Sequence, residues 1–142
     1  MGSHRVDRLT YTSPDFQPVV ESGGWLVALM NWSPRFDLEG WGVLERHNAT
    51  DEVFVLQKGR SILFVESDAG LECIDMVPGV VYNVTRGTWH NVIGTRDVQW
   101  LIVESQYDPE HPTEYRDLSG AEQSALRDEF PEWLAMIQVA SS

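Results

Sequence analysis

From residue 25 onward, short runs of β-branched, aromatic and aliphatic residues alternate with breaks that carry Gly, Pro, Asn or Asp. Such spacing predicts an all-β sandwich or barrel rather than helices. The predicted strands are Trp25–Trp32, Trp41–Glu45, Glu52–Gln57, Ser61–Glu66, Leu71–Val77, Val81–Val84, His90–Ile93 and Val98–Glu104. Turn residues join several of them: Lys58-Gly59, Ser67-Asp68-Ala69-Gly70, Pro78-Gly79, Arg86-Gly87 and Gly94-Thr95-Arg96-Asp97. Connections this short favour antiparallel neighbours.

The pattern changes near residue 107. Asp108-Pro109-Glu110-His111-Pro112 interrupts regular structure, and Ser119-Gly120-Ala121-Glu122 has the form of a capping box that opens a helix. Pro131 then starts a second helical turn carrying Trp133, Leu134 and Ile137. The division expected is a barrel with an N-terminal strand extension over 1–107 and a helical tail over 108–142, packed on the barrel or on a dimer partner.

At 142 residues the chain has the length of one domain. Its formal net charge of -12, from 22 acidic and 10 basic residues, argues against a nucleic-acid partner. No apolar run approaches the roughly 20 residues that span a bilayer, and no charged start leads into an apolar stretch, so the expectation is a cytoplasmic protein. Met1-Gly2-Ser3-His4 has the look of an expression remnant, which removes His4 from the candidate residues. A lone cysteine, Cys73, has no partner within the chain for a disulfide. Trp25-Leu26-Val27-Ala28-Leu29-Met30 is apolar on both faces, so both should be covered, and a homodimer is expected.

The chemistry lies in two stretches. Residues two apart on a strand share a face, so Glu45 and His47 point together. Beyond Asn48 to Asp51, Glu52 begins a strand whose alternation puts Phe54 and Leu56 on its side, which directs Glu52 into the barrel. An ionised carboxylate among such neighbours is costly unless it is paired or binds a cation. His90 shares its face with Val92 while Asn91 faces out, so His90 also looks inward. Two imidazoles with one or two carboxylates suit Fe, Mn, Ni, Zn or Cu as a divalent transition metal, rather than calcium. The metal candidates are His47, Glu52, His90 and Glu45; each alone also has a plain reading as a rim carboxylate or a hydrogen-bonded core histidine. Glu45, if it is not a ligand, is the candidate general base. Tyr82, Trp100 and Asn31 are the candidate pocket walls, whereas Trp25, Trp32 and Trp41 are expected to serve packing.

These residues resemble the cupin superfamily, small β-barrels whose first motif is G-x5-H-x-H-x(3,4)-E-x6-G and whose second is G-x5-P-x-G-x2-H-x3-N. His47, Glu52 and Gly59 match the end of the first motif, with Glu45 where its first histidine stands and Gly40 one residue out of place. Gly79, Gly87 and His90 match the second, with Thr85 in the place of proline and Gly94 in the place of asparagine. The stretches Glu45 to Leu56 and Tyr82 to Asn91 are similar to single-domain bacterial cupins that mostly lack an assigned reaction. The resemblance covers Trp41 to Glu104 and implies an antiparallel barrel or jelly roll with a metal site. Glu45 in place of histidine makes that site richer in carboxylate.

Two functions follow as expectations. One is a metal-dependent enzyme acting on a small oxygen-bearing metabolite, of isomerase, lyase, hydrolase or dioxygenase type, with the metal as Lewis acid. The other is a non-catalytic barrel that binds or senses a small ligand, with the metal absent or structural.

Overall fold

The computed structural model describes residues 4–135, and Ile137 of the expected second helical turn lies outside them. Ten strands form two five-stranded antiparallel sheets packed face to face. The first holds β1 (Asp15–Ser22), β2 (Trp25–Asn31), β9 (Gln99–Ser105), β4 (Glu52–Lys58) and β7 (Val81–Val84), in that order. The second runs β10 (Glu114–Asp117), β3 (Val43–Arg46), β8 (His90–Gly94), β5 (Ser61–Ser67) and β6 (Gly70–Asp75). A short 3-10 turn, Pro34–Phe36, connects β2 toward β3, and the helix α1 spans Gly120–Asp128.

Alternation builds the interior. Ala28 and Met30 of β2, Phe54 and Leu56 of β4, Trp100 and Ile102 of β9, and Leu63, Val65 and Val92 opposite them form one buried cluster between the sheets. The outer face of the second sheet is covered as well, because Leu118, Leu126, Trp133 and Leu134 of the C-terminal segment pack on Trp41, Leu44, Ile62, Phe64 and Ile93. The capping box at its start is formed: Ser119 Oγ accepts from the Glu122 amide at 3.1 Å, and a Glu122 carboxylate oxygen accepts from the Ser119 amide at 2.9 Å.

Two strands depart from the sequence expectation. β1 carries Pro18, and its register with β2 shifts between Pro18 and Val20, an irregularity an edge strand tolerates and a central one does not. β10, Glu-Tyr-Arg-Asp, lacks apolar alternation because both its faces are largely exposed, yet it pairs with β3 and puts part of the tail into the sheet. Trp41 precedes β3 instead of opening it, buried in the outer cluster. Asn91, expected to face solvent, is buried where the C-terminal segment covers its sheet, and its side-chain amide donates to the Val43 carbonyl at 2.6 Å.

On the outer face of the first sheet Leu29, Leu101, Val55 and Val81 stand side by side in register. No helix among the described residues is long and apolar enough to cross a membrane.

Candidate metal centre

Five ionisable side chains meet between the sheets at one end of the barrel. The second sheet contributes Glu45 from β3, His47 just beyond it and His90 at the start of β8, with Glu45 directly opposite His90 in the ladder. From the first sheet comes Glu52, the opening residue of β4; the register that pairs Val53 with Val103 sets Glu104 of β9 across from it. Sandwich closure therefore brings carboxylates of one wall onto imidazoles of the other. The turn that carries the chain from β4 to β5, and so from one sheet to the other, is tight: Gly59 adopts φ +75° and a Cβ there would lie 2.7 Å from the Val98 backbone.

Distances converge on a small volume. His90 Nε2 lies 2.8 Å from Glu52 Oε1, and His47 Nε2 lies 3.1 Å from that same oxygen. Glu45 Oε1 is 3.6 Å from His47 Nε2 and 4.0 Å from His90 Nε2. Ligand atoms of Glu45, His47, Glu52 and His90 all fall within 4.8 Å of one another, a spread that one ion can bridge. Glu104 Oε2 stands 3.9 Å from His47 Nε2.

The hydrogen bonding fits a cation. His90 Nδ1 meets the Thr88 carbonyl at 2.9 Å, and a carbonyl only accepts, so the proton sits on Nδ1. In the neutral ring Nε2 then presents a bare lone pair to a carboxylate oxygen, and a proton or a metal ion must lie between them. His47 Nδ1 is held by Thr113 Oγ1 at 2.9 Å, just ahead of β10, while its Nε2 is buried without a well-directed hydrogen bond. Anchoring one ring nitrogen so that the other faces the centre is how protein folds orient metal-binding histidines.

Electrostatics of the protein groups alone are strongly perturbed. Burial opposes charge on His47, but the carboxylates of Glu45 and Glu52, 3.6 and 3.1 Å from its Nε2, and the negative charge of Glu104 override it and raise its pKa to about 10. Burial likewise opposes charge on Glu52, yet His47, His90 and Glu104 together hold its pKa well below the usual carboxylate range. Glu104 goes the other way: burial first, then Glu52 beside it, push it up to about 9. Two carboxylates this close do not both ionise freely, and without a cation Glu104 is the one whose charged form is disfavoured.

Glu104 was not among the sequence candidates. Its signal was present in the alternation Trp100, Ile102, Glu104, which continues an inward face into a carboxylate. The three expected pocket walls lie elsewhere. Trp100 is fully buried core, its indole Nε1 donating to Ser61 Oγ at 3.0 Å, because its ring fills the barrel against Phe36. Tyr82 faces a separate cavity of about 510 Å³, and its hydroxyl accepts from the Val77 amide at 2.8 Å. Asn31 ends β2, where its side-chain amide donates to the carbonyls of Tyr11 and Ser13. A cavity of about 500 Å³ does open onto the centre, with Glu45, His47, Glu52 and Glu104 at its polar end and Phe54 and Ile102 in its wall.

Two five-stranded sheets closed over inward imidazoles and carboxylates define a cupin-type jelly roll. The fold is that of the cupins. Among solved structures the chain is similar to a cupin-2 domain containing protein from Shewanella frigidimarina, at 17% identity over 68% of this chain and 85% of that one, with a TM-score of 0.53. Looser likenesses are a vicilin from Solanum lycopersicum, at 10% identity over 66% of this chain and 26% of that one, with a TM-score of 0.46, and an acireductone dioxygenase from Bacillus anthracis with cadmium ion in its active centre, at 19% identity over 63% and 53%, with a TM-score of 0.40. Identities this low establish the fold alone. No family model matches the chain, and no curated protein does.

Proposed function

We propose that the protein is a metal-dependent enzyme acting on a small oxygen-bearing molecule, with His47, His90, Glu52 and Glu45 as the ligands of one divalent transition metal. The observation that supports this most is the buried Nε2 of His47, which faces the same carboxylate oxygen as His90 Nε2 without a directed hydrogen bond of its own. Such a cation supplies Lewis acidity toward a carbonyl or carboxylate oxygen and lowers the pKa of a bound water. The donor set of nitrogen and oxygen suits Fe, Mn, Ni, Zn or Cu. The chain's own groups do the rest. Glu52 and the two histidines hold position, with Glu104 part-buried beside them. Glu45, part exposed on the cavity side, completes the ligand set at the rim where a bound molecule would enter. Isomerase, lyase, hydrolase and dioxygenase chemistry all use this inventory.

A non-catalytic binding barrel is the second reading. It draws support from the ion pairs of His47 with Glu45 and Glu52, which satisfy the charges in part without a metal. A homodimer through the outer face of the first sheet is compatible with either reading.

Water-proton relaxation of the Mn(II)-loaded protein separates the two. An enzyme centre with an open position should enhance relaxation through an exchangeable water, and the enhancement should fall when a small carboxylate or enediol is added. A saturated, structural ion would give no enhancement above that expected from outer-sphere water, and the enzyme reading would fail.

A further inference from the structure

The cavity that opens onto the centre also has a cationic side chain in its lining, Arg35, carried by the Pro34–Phe36 turn. Its guanidinium is built into place. Nε donates to Asp15 Oδ2 at 2.9 Å and Nη2 to Asp15 Oδ1 at 2.8 Å, a two-pronged fork that fixes the plane of the group. The ring of Phe36 lies beneath it at 4.2 Å. Asp15 is itself fixed, since its carboxylate also accepts from Ser33 Oγ and from the Phe16 amide, each at 2.8 Å.

The backbone of Asp15 adds a second observation. It adopts φ +71°, the left-handed region, as the sole non-glycine residue to do so among those described. Aspartate enters this region more readily than most L-residues, and here its carboxylate accepts from the Phe16 amide, Ser33 Oγ and Arg35 together, which fixes the guanidinium at the cavity. With Nε and Nη2 committed, Nη1 makes no hydrogen bond among the described residues.

We infer that Arg35 is the anion-recognition group of this cavity and that the molecule bound there is an organic carboxylate with an oxygen donor at its opposite end. The inference rests on the metal-site reading, because Glu45, Glu52 and Glu104 would repel an anion unless a cation offsets them. The oxygen donor meets that cation and the carboxylate meets Nη1, within one cavity that Met30, Phe36, Phe54 and Ile102 also line. An apolar body is thus part of the ligand's description. A volume of about 500 Å³ suits a small metabolite and not a polymer.

The test titrates succinate, adipate, suberate, phenylacetate and 4-hydroxyphenylacetate, each beside its neutral amide, into metal-loaded and chelator-treated protein by calorimetry. Wild type, Arg35→Gln and Arg35→Lys are compared, with metal content measured on the same samples. Expected is at least one acid that binds loaded wild type at least tenfold more tightly than its amide, a tenfold or greater loss in Arg35→Gln, and partial recovery in Arg35→Lys, with metal content equal in all three. Equal binding of acid and amide, Arg35→Gln within twofold of wild type, or no binding of any acid to protein that holds its metal would overturn the inference. Wild-type protein that takes up no metal yet still prefers the acid through Arg35 would remove the metal-site reading and leave the anion site standing; no metal and no acid preference would remove both.

Discussion

Glu52→Gln lowers metal affinity by at least about a hundredfold while the barrel stays folded. Altering an outer partner of a metal ligand already costs about ten- to a hundredfold, and Glu52 is the oxygen toward which both histidines point, at 2.8 and 3.1 Å. Glutamine keeps the volume and the place in β4, so packing against Phe54 and His90 is conserved, but it removes the charge that the imidazoles and a cation share. A competition titration against a chromophoric chelator reads the change directly. Unchanged affinity would mean that the ion, if bound, sits elsewhere. Glu45→Gln, at a greater distance from both rings, is expected to cost less.

Protein stripped of metal with a chelator loses stability as pH rises from about 4.5 toward 10, most steeply between about 6.5 and 9 where both groups below contribute. Folded His47 holds its proton up to about 10, whereas the unfolded chain releases it near the ordinary histidine value of 6.5. Folded Glu104 holds its proton to about 9, against an ordinary 4.5. Both pKa values are raised by folding. Their contribution is present in full below the unfolded values and disappears as pH climbs through the folded ones, since the unfolded chain binds fewer protons throughout that window. Glu52, whose pKa is lowered, acts in the opposite sense and costs stability only as pH falls below the ordinary carboxylate range. Stability of the stripped protein should therefore peak in mildly acid solution, with a slope of up to about 1.4 kcal/mol per pH unit for each extra proton held. Metal binding displaces those protons, so affinity for the ion should rise over the same window. Urea denaturation at half-unit steps from pH 5 to 10 checks this; a flat profile would show that the cluster is not protonated in the way its geometry implies.

Much of the barrel was legible because its central strands carry the signal of burial on one face. In β4, Glu52, Phe54 and Leu56 alternate with residues of the outer face, and in β8 His90 and Val92 do the same, which is why inward Glu52 and His90 can be read from spacing. The edge strands β1 and β10 were not legible for the converse reason: with a Pro in one and little apolar character in the other, their pairing is decided by neighbours distant in sequence. Trp100 and Tyr82 are aromatic on strands, and spacing alone does not say whether such a ring fills the core, faces the cavity of the metal centre or faces another. Arg35 lay beyond any spacing argument, since its place depends on a turn after β2 and on Asp15 across the barrel end. The candidate site was thus readable where strands carry it, Glu104 of β9 included, and hidden where the Pro34–Phe36 turn brings Arg35 to it.

The proposed function requires one metal ion held by His47, His90, Glu52 and Glu45. Elemental analysis by inductively coupled plasma mass spectrometry, on tag-free wild type and on His47→Ala/His90→Ala purified in parallel, tests it most directly. Near-stoichiometric transition metal in wild type, lost in the double variant, is the expected result. Wild-type protein that carries no metal and takes none up from added Fe, Mn, Ni, Zn or Cu would contradict the central claim.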